Sequence, residues 1–150
     1  MKTLLDRTLE YTLFLLMVLI CGSVLWGVFT RYALGSQASW SEELARFLLI
    51  WIGLLGTAWA AGQRMHLAIT LLPEYLQGQQ QAYLLRFIDL MVLLFAAAVL
   101  LVGGGRLVYL TNMLGQSSPA MGIPMEVVYL VLPLSGLIII YYKLSAFKNK

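Results

Sequence analysis

The residues whose types could do chemistry are few and widely spaced. Asp89 lies near the end of an expected membrane helix, where an ionisable side chain is costly enough to suggest an ion-coupling carboxylate. Arg86 stands three residues earlier on the same helical face, so a structural pair is the simpler reading. Glu42, Glu43 and Arg46 form a charged cluster that could funnel an ion or a charged ligand. The same cluster also describes a helix start: Ser39 and Glu42 have capping-box spacing, and the two glutamates precede Arg46 by four and three residues. His66 is the single histidine and Cys21 the single cysteine. One histidine cannot supply two axial haem ligands, and His66 has no second ligand at metal-binding spacing, so a positioning hydrogen bond is expected of it. One cysteine excludes an intramolecular disulfide framework and a CxxC redox pair. Gly103, Gly104 and Gly105 lack the preceding strand and the spacing of a phosphate cradle; they are expected to loosen or kink a helix end and let backbones approach.

The elements that carry these residues follow from composition. The chain has 150 residues, 61% hydrophobic and 11% charged, against about 25% charged in ordinary soluble domains. Its apolar residues fall in long runs, so the natural solvent is a bilayer, with room for about four crossings in a single domain, residues 1–150. No aqueous catalytic domain fits, and an enzyme is not expected. The formal charge of +3 does not point to nucleic acid, because the basic residues are scattered and cap the hydrophobic runs.

The first crossing is Tyr11 to Thr30, 20 uncharged residues, or about 30 Å as a helix. It is too long for a signal-peptide core, no A-x-A-like cleavage site follows it, and Ile20 is too bulky for a lipoprotein cysteine at Cys21. The second runs from Phe47 to Gln63 and continues a polar, amphipathic first turn starting at Ser39 or Ser41, which is expected to lie partly at the interface with Trp40 as an anchor. The third is Leu90 to Gly105 and the fourth Val127 to Tyr142, both short enough to borrow flanking residues. Pro124 starts the fourth and Pro133 kinks it. The expected fold is therefore an all-α membrane protein of four transmembrane helices. Placing both termini in the cytoplasm puts seven of the ten Lys and Arg residues inside, as the positive-inside rule favours. Residues 64–86 then form a cytoplasmic loop, and 31–43 and 106–126 lie outside. Gly53, Thr57 and Ala61 recur every four residues and give the second helix a small-residue face suited to close packing, including packing on another chain.

Taken together, Arg31-Tyr32, the Trp40–Phe47 segment, Gln63-Arg-Met-His66 and Gln116-Ser-Ser-Pro-Ala-Met-Gly-Ile-Pro124 occur in this order between four hydrophobic segments. The chain thereby resembles the small membrane subunit (DctQ-like) of tripartite ATP-independent periplasmic (TRAP) transporters over nearly its whole length. The resemblance implies a bacterial inner-membrane protein paired with a large membrane subunit and a periplasmic substrate-binding protein. It also implies import of an organic acid, such as a C4-dicarboxylate or a sialic acid. The substrate and sodium sites would lie in an elevator-like large subunit, so this chain would need no cofactor of its own. Trp40, Glu43, Arg46, His66, Pro119 and Pro124 match the family pattern and become structural or interface positions, none catalytic. Two alternatives stay open. One is a homodimeric ion-coupled exporter working through Asp89 or Glu10; the other is a membrane anchor for an enzyme complex.

Overall fold

The computed structural model describes residues 2–36, 38–63 and 79–148. Among them the chain is helical, with one isolated bridge between Ser117 and Pro124. Helix α1 spans Lys2–Ala33 and α2 spans Ser39–Gly62. The third membrane helix is composite: α3 (Gln79–Phe95), a π segment (Ala96–Gly103) and α4 (Gly104–Met113). The fourth is interrupted at Leu130, giving α5 (Met125–Tyr129) and α6 (Val131–Lys148). Four segments are long and apolar enough to cross a membrane: Leu4–Ala33, Ser39–Gly62, Tyr83–Met113 and Met125–Ser145. The four crossings expected from the sequence are therefore present.

Helix ends differ from the expected ones where a charge was taken as a boundary. The third helix starts at Gln79, inside the expected loop, and runs past Arg106 to Met113. Asp89 does not end a helix because Lys143 compensates its charge across the bundle. The capping box is absent: Ala38 is the N-cap of α2 and carries no side-chain cap. Ser41 instead turns its hydroxyl back to Ala38 O, at 2.7 Å.

Packing follows the order α1, α2, α6, π segment, so the fourth helix separates α2 from most of the third. In lipid, helices associate through close van der Waals fit and hydrogen bonds rather than by escaping water. The α1–α2 seam shows both. Leu9, Leu16, Ser23 and Thr30 recur every seven residues on α1, as do Ser41, Leu48, Leu55 and Gly62 on α2. This is the repeat of helices crossing at a shallow left-handed angle. Near the α1–α2 turn the seam is polar: Ser23 donates to Ser41 O at 2.8 Å, and Thr30 Oγ1 accepts from Ala38 N–H at 3.2 Å. Gly35 makes that turn with φ of 73°, a conformation that glycine adopts without a Cβ penalty. Toward the other end the seam is apolar, with Leu9 and Leu55 buried together with Val131 and Tyr142 of α6.

Candidate functional site

The two ends of the bundle carry different chemistry. At the end formed by the 34–38 and 114–124 connections, called the loop end, an open cleft of about 470 Å³ is lined by Ser39, Glu42, Glu43, Arg46, Pro119 and Ala120. Glu42 and Arg46 form the expected i,i+4 ion pair on the exposed face of α2. Glu43 does something different: its carboxylate accepts from the backbone N–H of Ala120 at 3.0 Å, tying the 114–124 connection to the first turns of α2. That connection is internally ordered. Ser118 N–H donates to Ile123 O and Gly122 N–H to Ser118 O, both at 2.9 Å, and Met125 N–H donates to Gln116 O at 2.9 Å. Asn112 adds a side-chain bond to Glu126. Gly115 and Gly122 have φ of 58° and 66°, so the turns are built on positions that disfavour a side chain.

The structure thus brings Glu42, Glu43, Arg46 and Pro119 into one cleft. Trp40 stands beside it, exposed in the first turn of α2. Pro124 sits at the base of the same connection, bridged to Ser117 and serving as the N-cap of α5. Arg31 is exposed in the last turn of α1, where a cation complements the negative helix terminus. His66 lies outside the described residues.

At the opposite end, adjacent residues of α6 reach to two different helices. Lys143 is buried and donates to Asp89 of α3 at 2.6 Å. Tyr142 donates to the Asp6 carboxylate of α1 at 2.5 Å, and its ring lies flat against Gly62 of α2. The expected Asp89–Arg86 pair is not the one formed: Arg86 is exposed, and a cross-bundle lysine takes its place. An exporter reading needs an uncompensated carboxylate, and this pairing gives it no support. Among the described residues, no three His, Cys, Asp or Glu side chains converge as metal ligands.

Of the small-residue face on α2, Ala61 is buried, while Gly53 and Thr57 are exposed. Thr57 and Ala61 border an apolar groove of about 450 Å³, walled by Met91, Phe95 and Leu100 of the third helix and floored by Ile139. Close approach within the chain falls elsewhere, on Gly62, Gly104 and Gly136. A Cβ on Gly104 would stand 2.6 Å from Leu132 Cβ, and one on Gly136 would stand 3.0 Å from Leu100 Cβ. Gly104 therefore fulfils the expected backbone approach, but inside a continuous helix.

Sequence reasoning missed Ser23, Thr30, Asp6, Tyr142 and Lys143. The seven-residue recurrence through Leu9, Leu16, Ser23 and Thr30 was a usable signal for the first two. The other three depend on which helices are neighbours, which spacing within one helix cannot reveal.

The family model described as "Tripartite ATP-independent periplasmic transporters, DctQ component" matches residues 20–149. A putative TRAP transporter small permease protein of Haemophilus influenzae is 28% identical over 89% of this chain and 81% of its own length. The sialic acid TRAP transporter small permease protein of Vibrio cholerae is 31% identical over 59% of this chain and 51% of its own. The isethionate TRAP transporter permease protein DctMQ of Oleidesulfovibrio alaskensis is 34% identical over 67% of this chain, which corresponds to 16% of that much longer protein.

Proposed function

The chain belongs to the DctQ component family of tripartite ATP-independent periplasmic transporters, and from that premise we propose that it braces the large membrane subunit and helps seat the binding protein at its loop end. It is the small permease subunit of such a transporter, a multi-pass inner-membrane protein and not an enzyme. Its partners are a large membrane subunit and a periplasmic binding protein.

We further propose the orientation, the cargo and the coupling ion. The loop end faces the periplasm and both termini the cytoplasm, the orientation favoured by the lysine and arginine distribution. The cargo is an organic acid, a choice supported by the sialic acid and isethionate named for two relatives. Sodium is the coupling ion, and the sites for both lie in an elevator-like large subunit. Residues 1–150 act as one domain.

The observation that carries the bracing role is how the polar groups of the bundle are used. Ser23, Thr30, Thr111 and Ser135 are buried and hydrogen-bonded to backbone carbonyls of this chain, and Lys143 is held by Asp89. They serve helix packing, while the loop-end cleft presents the exposed Glu42–Arg46 pair beside Glu43; a second charged cleft, lined by Asp6, Arg7 and Glu10, lies at the opposite end. Replacing Glu43 and Arg46 together by alanine is expected to impair uptake or assembly, with unchanged substrate affinity of the isolated binding protein. Normal uptake by cells carrying both substitutions would refute the docking role.

A further inference from the structure

We infer that the loop-end unit, residues 104–130, is a hinged lid over the Glu42–Glu43–Arg46 cleft, pivoting at mid-bundle and latched by Glu43. The unit is one body: Asn112 binds Glu126, Gln116 O accepts from Met125 N–H, and Ser117 pairs with Pro124 across the connection. It joins the remainder of the chain through two helical connections, and both are weakened at the same level.

On the third helix the weak point is the π segment, Ala96–Gly103. There Gly104 N–H is shared between Val99 O, five residues back, and Leu101 O. A π turn arises where a helix carries a surplus residue, and such turns mark hinges and functional sites. On the fourth helix the weak point is Pro133, which has no N–H for the carbonyl of Tyr129. The next bond along, Leu134 N–H to Leu130 O, is stretched to 3.3 Å, and the helix is interrupted at Leu130.

The two points lie against each other. Gly104 packs on Leu132 and Pro133, and Gly136 packs on Leu100 and the backbone of Ala96 and Leu101. A bend in one helix therefore engages the other, and the pair works as a single pivot rather than two independent kinks.

The lid packs on α2 through a short contact of α5, where Val128 is buried, and a polar tie adds to it. Among the described residues, the hydrogen bond between this unit and α2 is the one from Ala120 N–H to Glu43. Glu43 is also a wall of the cleft, so a cation that draws its carboxylate away from Ala120 would release the connection. The lid thus couples occupation of the cleft to a tilt of the third and fourth helices relative to α1 and α2.

Spin labels at Leu25 of α1 and Leu114, both exposed, in a Cys21→Ser background, report this tilt by pulsed electron resonance on the full chain in lipid nanodiscs with its copurified membrane partner. The distance lies within one chain, so it is readable whether or not a larger subunit accompanies it. Glu43→Ala is expected to move the distribution outward by roughly 2 Å or more, the scale of a loop rearrangement. Glu43→Gln, whose amide oxygen still accepts from Ala120, should remain as the parent. Adding Pro133→Ala and deletion of Ala97 to Glu43→Ala should bring the distance back, because a lost surplus residue and a restored N–H repair both helices. An unchanged distance in Glu43→Ala overturns the latch. A displacement that persists in full after helix repair overturns the pivot, and Pro133→Ala alone, expected to give partial return, provides the same test with a milder substitution.

Discussion

Along the α1–α2 seam Leu9, Leu16, Ser23 and Thr30 meet α2 at every second turn, whereas the third and fourth helices approach where Gly104 and Gly136 have no side chain at all. The first pair is regular in backbone and tied by hydrogen bonds at its turn. The second has a π segment in one partner and, at the same level, a proline and a stretched hydrogen bond in the other, and it is tied by an ion pair at the far end. Interdigitated side chains in fixed rotamers make a stiff contact. Backbone-to-backbone approach with interrupted hydrogen bonding leaves a contact that is close but able to bend. In the proposed role of bracing a larger protein and seating a soluble one, such a subunit has use for both.

The comparison can be broken most severely at the ion pair. Lys143→Met leaves the Asp89 carboxylate without its partner, which should cost about 3 kcal/mol, the low end for a broken buried pair because Asp89 retains some access to water. The double change Lys143→Met with Asp89→Leu should recover most of that loss, as read by unfolding in mixed detergent micelles. Next comes Gly104→Leu, whose Cβ meets Leu132 and the Pro133 backbone; overpacking there should cost about 2 kcal/mol. Gly105→Leu, with nothing within 4 Å of its Cβ position, is the matched control and should cost far less. On the stiff side, Ser23→Ala removes one interhelical bond to Ser41 O, worth about 0.6 kcal/mol in membrane proteins. The one change expected to stabilise is Gly53→Ala: its Cβ meets open space, and helix propensity favours alanine by up to about 1 kcal/mol. A gain in stability of the isolated chain together with weakened association would assign that face to a partner.

The number of helices and the charged cluster on α2 were legible because each rests on spacing within one segment. Tyr11 to Thr30 is an uninterrupted apolar run, and Glu42 and Arg46 lie one turn apart, so neither needs knowledge of a neighbour. The ends of the third helix were misjudged because Asp89 and Arg106 were given the weight that isolated charges would have. Asp89 is not isolated, and its partner Lys143 is 54 residues away in sequence. The role of Glu43 was legible only in part. Its spacing to Arg46 suggested a pair within the helix, but the carboxylate goes to Ala120, 77 residues away. The pivot was half visible: Pro133 announces itself and Gly103, Gly104 and Gly105 point to a loosened helix, whereas nothing in residues 96–102 distinguishes a π turn from an ordinary apolar helix.

The most direct test of the bracing role is mild-detergent purification of the tagged chain at native expression, with mass spectrometry of what accompanies it. The account predicts a stoichiometric, much larger polytopic membrane protein. Recovery of homo-oligomers alone, with a crosslinking control showing that the complex survived extraction, would contradict it.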